Sequence, residues 1–191
     1  MPTELEAKMK VSDLAIVRAK LIELGAKPIV ARKEVNTFFD DSKQSLLARD
    51  AGLRVRLNAN DDGSREIVMT YKGKQVDGPL GAGGLKNREE IEVVVDDDIG
   101  QLELLLSRLG FSKHLSFEKR RESFSIDDCR VELDTLPAPL GTFVEIEGPS
   151  SASIEAVRKK LGLNSLPLIT QGYASMIDEH LKNSDATELL F

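Results

Sequence analysis

An α+β protein built on a curled, mainly antiparallel sheet with helices packed outside is the fold this sequence predicts, on three observations. Charged and apolar residues alternate with a period of two in seven separate segments. Two stretches repeat one succession of elements. Glycine follows leucine where each of three helix-like runs stops, at Leu24-Gly25, Leu109-Gly110 and Leu161-Gly162.

Neighbouring side chains of a strand point to opposite faces. Glu4, Glu6 and Lys8 therefore share one face of the opening segment, and Leu5, Ala7 and Met9 share the other. Ser12 or Asp13 caps a first helix whose apolar stripe is Leu14, Val17, Leu21 and Leu24, and Gly25 stops it. A strand ending at Asp40-Asp41 follows. Arg54-Val55-Arg56 and Thr70-Tyr71-Lys72 then set ions against Leu53, Val55, Leu57 and against Ile67, Met69, Tyr71. Gly73 to Asn87 is rich in glycine and reads as a long mobile loop. Its Gly81-Ala82-Gly83-Gly84 run leads into a strand, and no Gly-Lys-Ser/Thr sequence is present, which argues against a nucleotide loop.

Arg88-Glu89-Glu90-Ile91-Glu92 opens the second half. Asp97 or Asp98 caps a helix packed through Leu102, Leu105, Leu106 and Leu109. In Glu118-Lys119-Arg120-Arg121, alternation turns Lys119 and Arg121 inward and Arg120 outward. Glu132-Leu133-Asp134 and Glu145-Ile146-Glu147 are the remaining charged strands. A third helix spans about 153–161. A fourth, about 170–182, carries Tyr173, Met176, Ile177 and His180. Residues 184–191 read as a flexible tail, with Leu189, Leu190 and Phe191 apolar enough to dock.

Residues 4–60 and 90–135 follow the same order: charged strand, helix, strand, charged strand. Corresponding landmarks are shifted by 86 (4 to 90), 85 (25 to 110) and 87 (40 to 127) residues. So constant a shift reads as an internal duplication within one domain, 1–183.

Composition narrows the function. A net charge of -6 argues against nucleic acid as the main partner, although local basic clusters still suit phosphate. Cys129 is the only cysteine, so no disulfide forms within the chain and no metal–thiolate cluster is available. His114 and His180 lack ligand spacing. Glu4 and Glu6 stand where a signal peptide needs basic and then apolar residues, and no apolar run reaches membrane-spanning length. A cytoplasmic location is the expectation.

The leucine-striped helices must cover the apolar faces of the strands, so the ionic faces line the inside of the curled sheet. An open sheet with its ions in bulk water is the alternative. Repeated like charges at i, i+2 weigh against it. Enclosed ions must stay wet, pair, or hold other ions. Carboxylates without histidine or cysteine suit hard cations, Mg2+ or Mn2+. Arginine and lysine clusters suit phosphates. Together they describe a site for a metal and a polyphosphate.

The same motifs resemble the CYTH superfamily, the triphosphate tunnel metalloenzymes, from Glu4 to about Tyr173. Glu4-x-Glu6-x-Lys8 matches the family's ExExK signature. Leu53–Arg56, Thr70–Gly73, Arg88–Glu92, Glu118–Arg121 and Phe143–Glu147 follow in the family's order. The resemblance implies an eight-stranded antiparallel β-barrel forming a tunnel, with helices outside. It implies Glu4, Glu6, Asp134, Glu145 and Glu147 as metal ligands, and Lys8, Arg54, Arg56, Lys72, Arg88, Lys119 and Arg121 as the triphosphate cradle. Lys8, Glu90 and Glu92 form the implied catalytic set, the last two binding a second metal or orienting basic side chains. Glu132 and Glu147 are each as good a structural partner as a ligand. The implied activity is that of a class IV adenylyl cyclase, ATP to cyclic AMP and pyrophosphate. A triphosphatase acting on inorganic, thiamine or nucleoside triphosphate is the alternative, and a non-catalytic polyphosphate or nucleotide binder the third. A homodimer fits the resemblance.

Overall fold

The computed structural model describes residues 3–75, 86–96, 98–182 and 186–191, with the side chains of all but Thr3, Glu4, Gln75, Lys86 and Asn87. In chain order the elements are β1 (Thr3–Val11), α1 (Leu14–Glu23), β2 (Lys27–Asp41), β3 (Gly52–Asn60), β4 (Arg65–Gln75), β5 (Lys86–Val95) and α2 (Ile99–Arg108). They continue as β6 (Phe111–Ile126), β7 (Cys129–Leu136), β8 (Gly141–Glu147), α3 (Ser151–Lys160), α4 (Tyr173–Leu181) and β9 (Glu188–Leu189). The succession β1-α1-β2-β3 recurs as β5-α2-β6-β7.

Strand order is β2-β3-β4-β5-β1-β8-β7-β6, and β6 pairs back onto β2 from Lys27↔Ser125 to Asp41↔Phe111. Every one of these ladders is antiparallel, so the eight strands close a ring and leave it with two faces, inside and outside. Helices α1, α2 and α3 dress the outside. Leu5, Ala7, Met9, Val131, Leu133, Val144 and Ile146 pack under α1 and α3. Phe39, Val55 and Ile67 pack under α2.

Asp13 and Asp98 cap α1 and α2, each carboxylate accepting from the N–H two residues on, and Ser150 caps α3. Gly25, Gly110 and Gly162 end the three helices at φ of +74°, +91° and +73°, a region that favours glycine. α2 differs from its expected stripe. Leu102 and Leu106 are buried, but Leu105 and Leu109 face solvent, because a ten-residue helix lying on a curved sheet presents a narrower face than four leucines occupy.

Cys129 is buried beside β8, and burial, with Asp128 next, pushes its thiol up to about 11, so it serves as a small filler. A Cβ on Gly148 would lie 2.7 Å from Cys129 Sγ and 3.1 Å from Ile154 Cγ1. Gly148→Ala is therefore expected to destabilise the fold by about 1–3 kcal/mol, read as a lowered urea midpoint.

Two expectations change. β4 runs to Gln75 and β5 starts at Lys86, so the segment expected to be irregular over Gly73–Asn87 is shorter at both ends; its glycine run lies outside the described residues. The tail, expected to be flexible over 184–191 with an apolar end able to dock, has Thr187 to Leu189 lying along β6. The β6–β7 ladder stops at Arg120, leaving an open β6 edge at Ser116 and Phe117, and β9 pairs there in parallel. Phe191 N–H donates to Glu118 at 3.1 Å, and Leu189 packs near Ile177 and Phe117. Among the described residues no helix is long and apolar enough to cross a membrane.

Candidate active site

Ring closure brings the ionic residues of all eight strands onto one cavity of about 740 Å³. Register decides who meets whom. Glu6 stands opposite Glu147, Lys8 opposite Glu145, and Glu132 opposite Glu145 on its other side. Arg121 faces Asp134, Lys119 faces Glu34, and Lys72 faces Glu90. Twelve of the expected site residues line the cavity: Lys8, Arg54, Arg56, Lys72, Arg88, Glu90, Glu92, Lys119, Arg121, Glu6, Glu145 and Glu147. Asp134 lies beneath the lining, fully buried. The expectation for the Glu4 side chain falls outside the described side chains; its backbone is in β1 opposite Arg88.

The cavity wall divides by charge. On the acidic side, Arg121 is the hub. Its Nε donates to Asp134 Oδ1 at 2.7 Å, and its terminal nitrogens reach Asp134, Glu145 and Glu132. Asp134 also accepts from Lys119 at 3.1 Å and from the Tyr173 hydroxyl at 2.9 Å. Burial works to lower the Arg121 pKa, but Asp134 and Glu132 outweigh it and the guanidinium is held well above its ordinary value. Glu132 has the opposite balance: burial raises it, and Arg121 does not fully compensate.

On the basic side the cations crowd one another, although each has a carboxylate partner. Arg54 bonds Thr70 at 2.9 Å and Glu92 at 3.1 Å, and Lys72 pairs with Glu90. Burial, with Arg56 next, pushes the Arg54 guanidinium down to about 9, which leaves it charged at neutral pH. Burial, with Arg54 next, also lowers Lys72, against the pull of Glu90 and Glu6. Crowded, dehydrated cations of this kind are what an added anion relieves. Arg88 lies at the rim, 3.4 Å from Asp50.

Three residues to which the sequence reading gave no role in the site complete it. Glu34 is fully buried and stands 2.8 Å from Arg32, 3.3 Å from Arg56 and 3.4 Å from Lys119. Burial acts to raise its pKa, yet those cations hold the carboxyl well below the usual range. Its signal was blurred because Arg32, Lys33 and Glu34 are charged in succession; Lys33 points outward to Glu118, so the period of two disappears by eye. Thr70 was read as part of a charged strand but not as a partner of Arg54. Tyr173 looked like an ordinary core position of a helix stripe. Instead the first turn of α4 reaches into one end of the barrel, where Tyr173 joins Phe143, Phe117, Leu115 and Leu136.

The site's own donors fit a hard cation. On the acidic side they are carboxylate oxygens, with Glu6 and Glu147 directly paired by register. Among the described residues no three Asp, Glu, His or Cys side chains are gathered as a complete ion cage. Mg2+ does not need one, since it ordinarily takes one or two carboxylates, water and substrate phosphates.

Fold and site together define a class: an antiparallel tunnel barrel with a divided ionic interior. The profile of the CYTH domain matches residues 2–173, and the chain belongs to the CYTH family. A Methanocaldococcus jannaschii protein provisionally named an adenylate cyclase is 31% identical over 144 residues, 75% of each chain. The PH1819 protein of Pyrococcus horikoshii shares the fold at a TM-score of 0.76 and 24% identity, over 93% of this chain and 99% of that one. HpAC1 from Hippeastrum, provisionally an adenylyl cyclase and described as revealing a dominant triphosphatase activity, matches at a TM-score of 0.65 and 20% identity, over 94% and 96% of the two chains.

Proposed function

We propose that the chain is a divalent-metal-dependent enzyme that processes a triphosphate, with an adenylyl cyclase activity on ATP as the leading reading. One observation carries the triphosphate part: Arg54, Arg56 and Lys72 converge on one cavity whose opposite wall is acidic, where burial with Arg56 lowers Arg54 and burial with Arg54 lowers Lys72. Beside Asp40 and Asp50 the cavity also has an apolar stretch, with Phe38, Leu46, Ala51 and Gly52, which suits the nucleoside part of a nucleotide. The provisional name of the Methanocaldococcus relative supports the cyclase, and the activity described for HpAC1 supports a triphosphatase as the second reading.

In this reading Lys8, Arg54, Arg56, Lys72, Lys119 and Arg121 hold the triphosphate extended, and Arg88 meets it at the rim. Glu90 and Glu92 aim Lys72 and Arg54. Glu6 and Glu147 would hold Mg2+ or Mn2+, which when bound supplies charge neutralisation at the phosphate oxygens. Asp134 was expected among the metal ligands, but Lys119, Arg121 and Tyr173 already occupy its oxygens, so we assign it to positioning the cradle. Glu145, held by Lys8 at 3.0 Å and by Arg121, takes a mixed role. Attack by the ribose 3′-hydroxyl on the α-phosphorus gives cyclic AMP and pyrophosphate; attack by water on the terminal phosphorus gives orthophosphate. The same cradle serves both.

Purified protein incubated with ATP and Mn2+ is expected to release cyclic AMP and pyrophosphate. Orthophosphate as the sole product selects the triphosphatase. Lys72→Ala is expected to weaken triphosphate binding roughly 10- to 100-fold, the worth of a charge-assisted hydrogen bond. Anion binding raises the lowered Lys72 pKa back toward its ordinary value. Between those two values, at alkaline pH, triphosphate binding should therefore take up protons, measurable as a buffer-dependent heat, and Lys72→Ala should diminish that uptake.

A further inference from the structure

The CYTH profile ends at Tyr173, the first residue of α4, and that side chain touches three strands of the site at once. Its ring centroid lies 3.8 Å from Lys8 Nζ on β1 and 5.1 Å from Lys119 Nζ on β6. Its hydroxyl donates to Asp134 Oδ2 on β7 at 2.9 Å, an oxygen that Lys119 also reaches. Two residues earlier, the Gln171 carbonyl accepts from Lys8 Nζ at 3.3 Å. Packing alone does not call for a phenol here. Phe143 sits edge-on at 5.3 Å and Ile177 is fully buried behind, so an aliphatic side chain would fill the space without burying a hydroxyl.

We propose that Tyr173 is a positioning residue of the triphosphate site, its ring face holding Lys8 and Lys119 and its hydroxyl holding Asp134; this rests on the triphosphate reading above. Two ammonium groups brought onto one anion repel each other beforehand. The negative face of an aromatic ring offsets that repulsion without neutralising either charge, as another carboxylate would. A ring with two torsions, wedged between Phe143 and the barrel end, also leaves less to order when the anion arrives. The hydroxyl completes the set, because Asp134 is the carboxylate that aims Arg121 and Lys119. In this way α4, outside the family profile but for its first residue, becomes part of the site.

The test titrates inorganic triphosphate, in EDTA, into wild type, Tyr173→Phe and Tyr173→Leu, and follows the Lys8 ε-methylene protons by NMR in the free proteins. Phenylalanine keeps the ring and removes the donor; leucine removes both. Tyr173→Phe should bind within about threefold of wild type and Tyr173→Leu about tenfold more weakly or worse. The Lys8 resonances should lie upfield, from ring current, in wild type and Tyr173→Phe and return to the ordinary lysine position in Tyr173→Leu. Unchanged affinity in Tyr173→Leu, or equal losses in both variants, overturns the proposal while leaving the triphosphate reading intact. Should the leucine variant not fold, an ordinary Lys8 position in wild type overturns it equally, and an upfield position with near-normal Tyr173→Phe binding supports it. Wild type that fails to bind triphosphate removes the site reading, and this inference with it.

Discussion

Arg121→Ala is expected to cost about 3–5 kcal/mol of folding stability, the usual consequence of leaving a buried charge without its partner. Asp134, Glu132 and Glu145 all reach this one guanidinium, and each is at most 5% exposed. Against a typical margin of 5–15 kcal/mol, the loss approaches unfolding. The pH dependence identifies the cause. In wild type the Glu34 carboxyl is held low, so its contribution is fully present above the unfolded value and disappears as pH falls through the folded one. In Arg121→Ala, Asp134 keeps Lys119 and Tyr173 and Glu145 keeps Lys8, but Glu132, already raised by burial, loses the cation that lowers it, so part of the lost stability returns on mild acidification and vanishes again as pH rises. Urea midpoints measured from pH 5 to 8 should therefore slope downward for the variant. A flat profile would assign the loss to packing alone.

Glu6→Gln should act on turnover instead, lowering metal-dependent activity at least about a hundredfold, with Glu147→Gln close behind. The two acids stand directly opposite across the β1–β8 ladder. Like charges so placed are destabilising, by some tenths of a kcal/mol. Neutralising one removes that repulsion, at the cost for Glu6 of its attraction to Lys72, so the melting temperature should stay nearly level while activity falls. Wild-type turnover in both variants would take these acids out of the proposed metal site. Activity restored by raising the Mn2+ concentration would instead indicate weakened metal affinity with the cradle intact.

Period-two alternation was enough to assign Lys8, Arg56, Lys119 and Glu145 to one face, because a strand leaves a side chain only two directions. It set Arg120 outside and Arg121 inside without coordinates. Helix ends were equally legible, since aspartate, serine and glycine act within a residue or two of where they stand. Partnership was not. Glu34 lies 85 residues from Lys119 and 22 from Arg56, and only the β2–β6 and β2–β3 registers bring those charges together. Nor was it legible that Asp134 meets Lys119, Arg121 and Tyr173 at once. Tyr173 looked like any other core residue of a helix, because its role depends on where α4 enters the barrel. Local sequence determined the direction each ion faces, through backbone geometry. The tertiary structure alone decided which ions pair and which remain under electrostatic strain, because Coulomb interactions depend on distances that only ring closure sets.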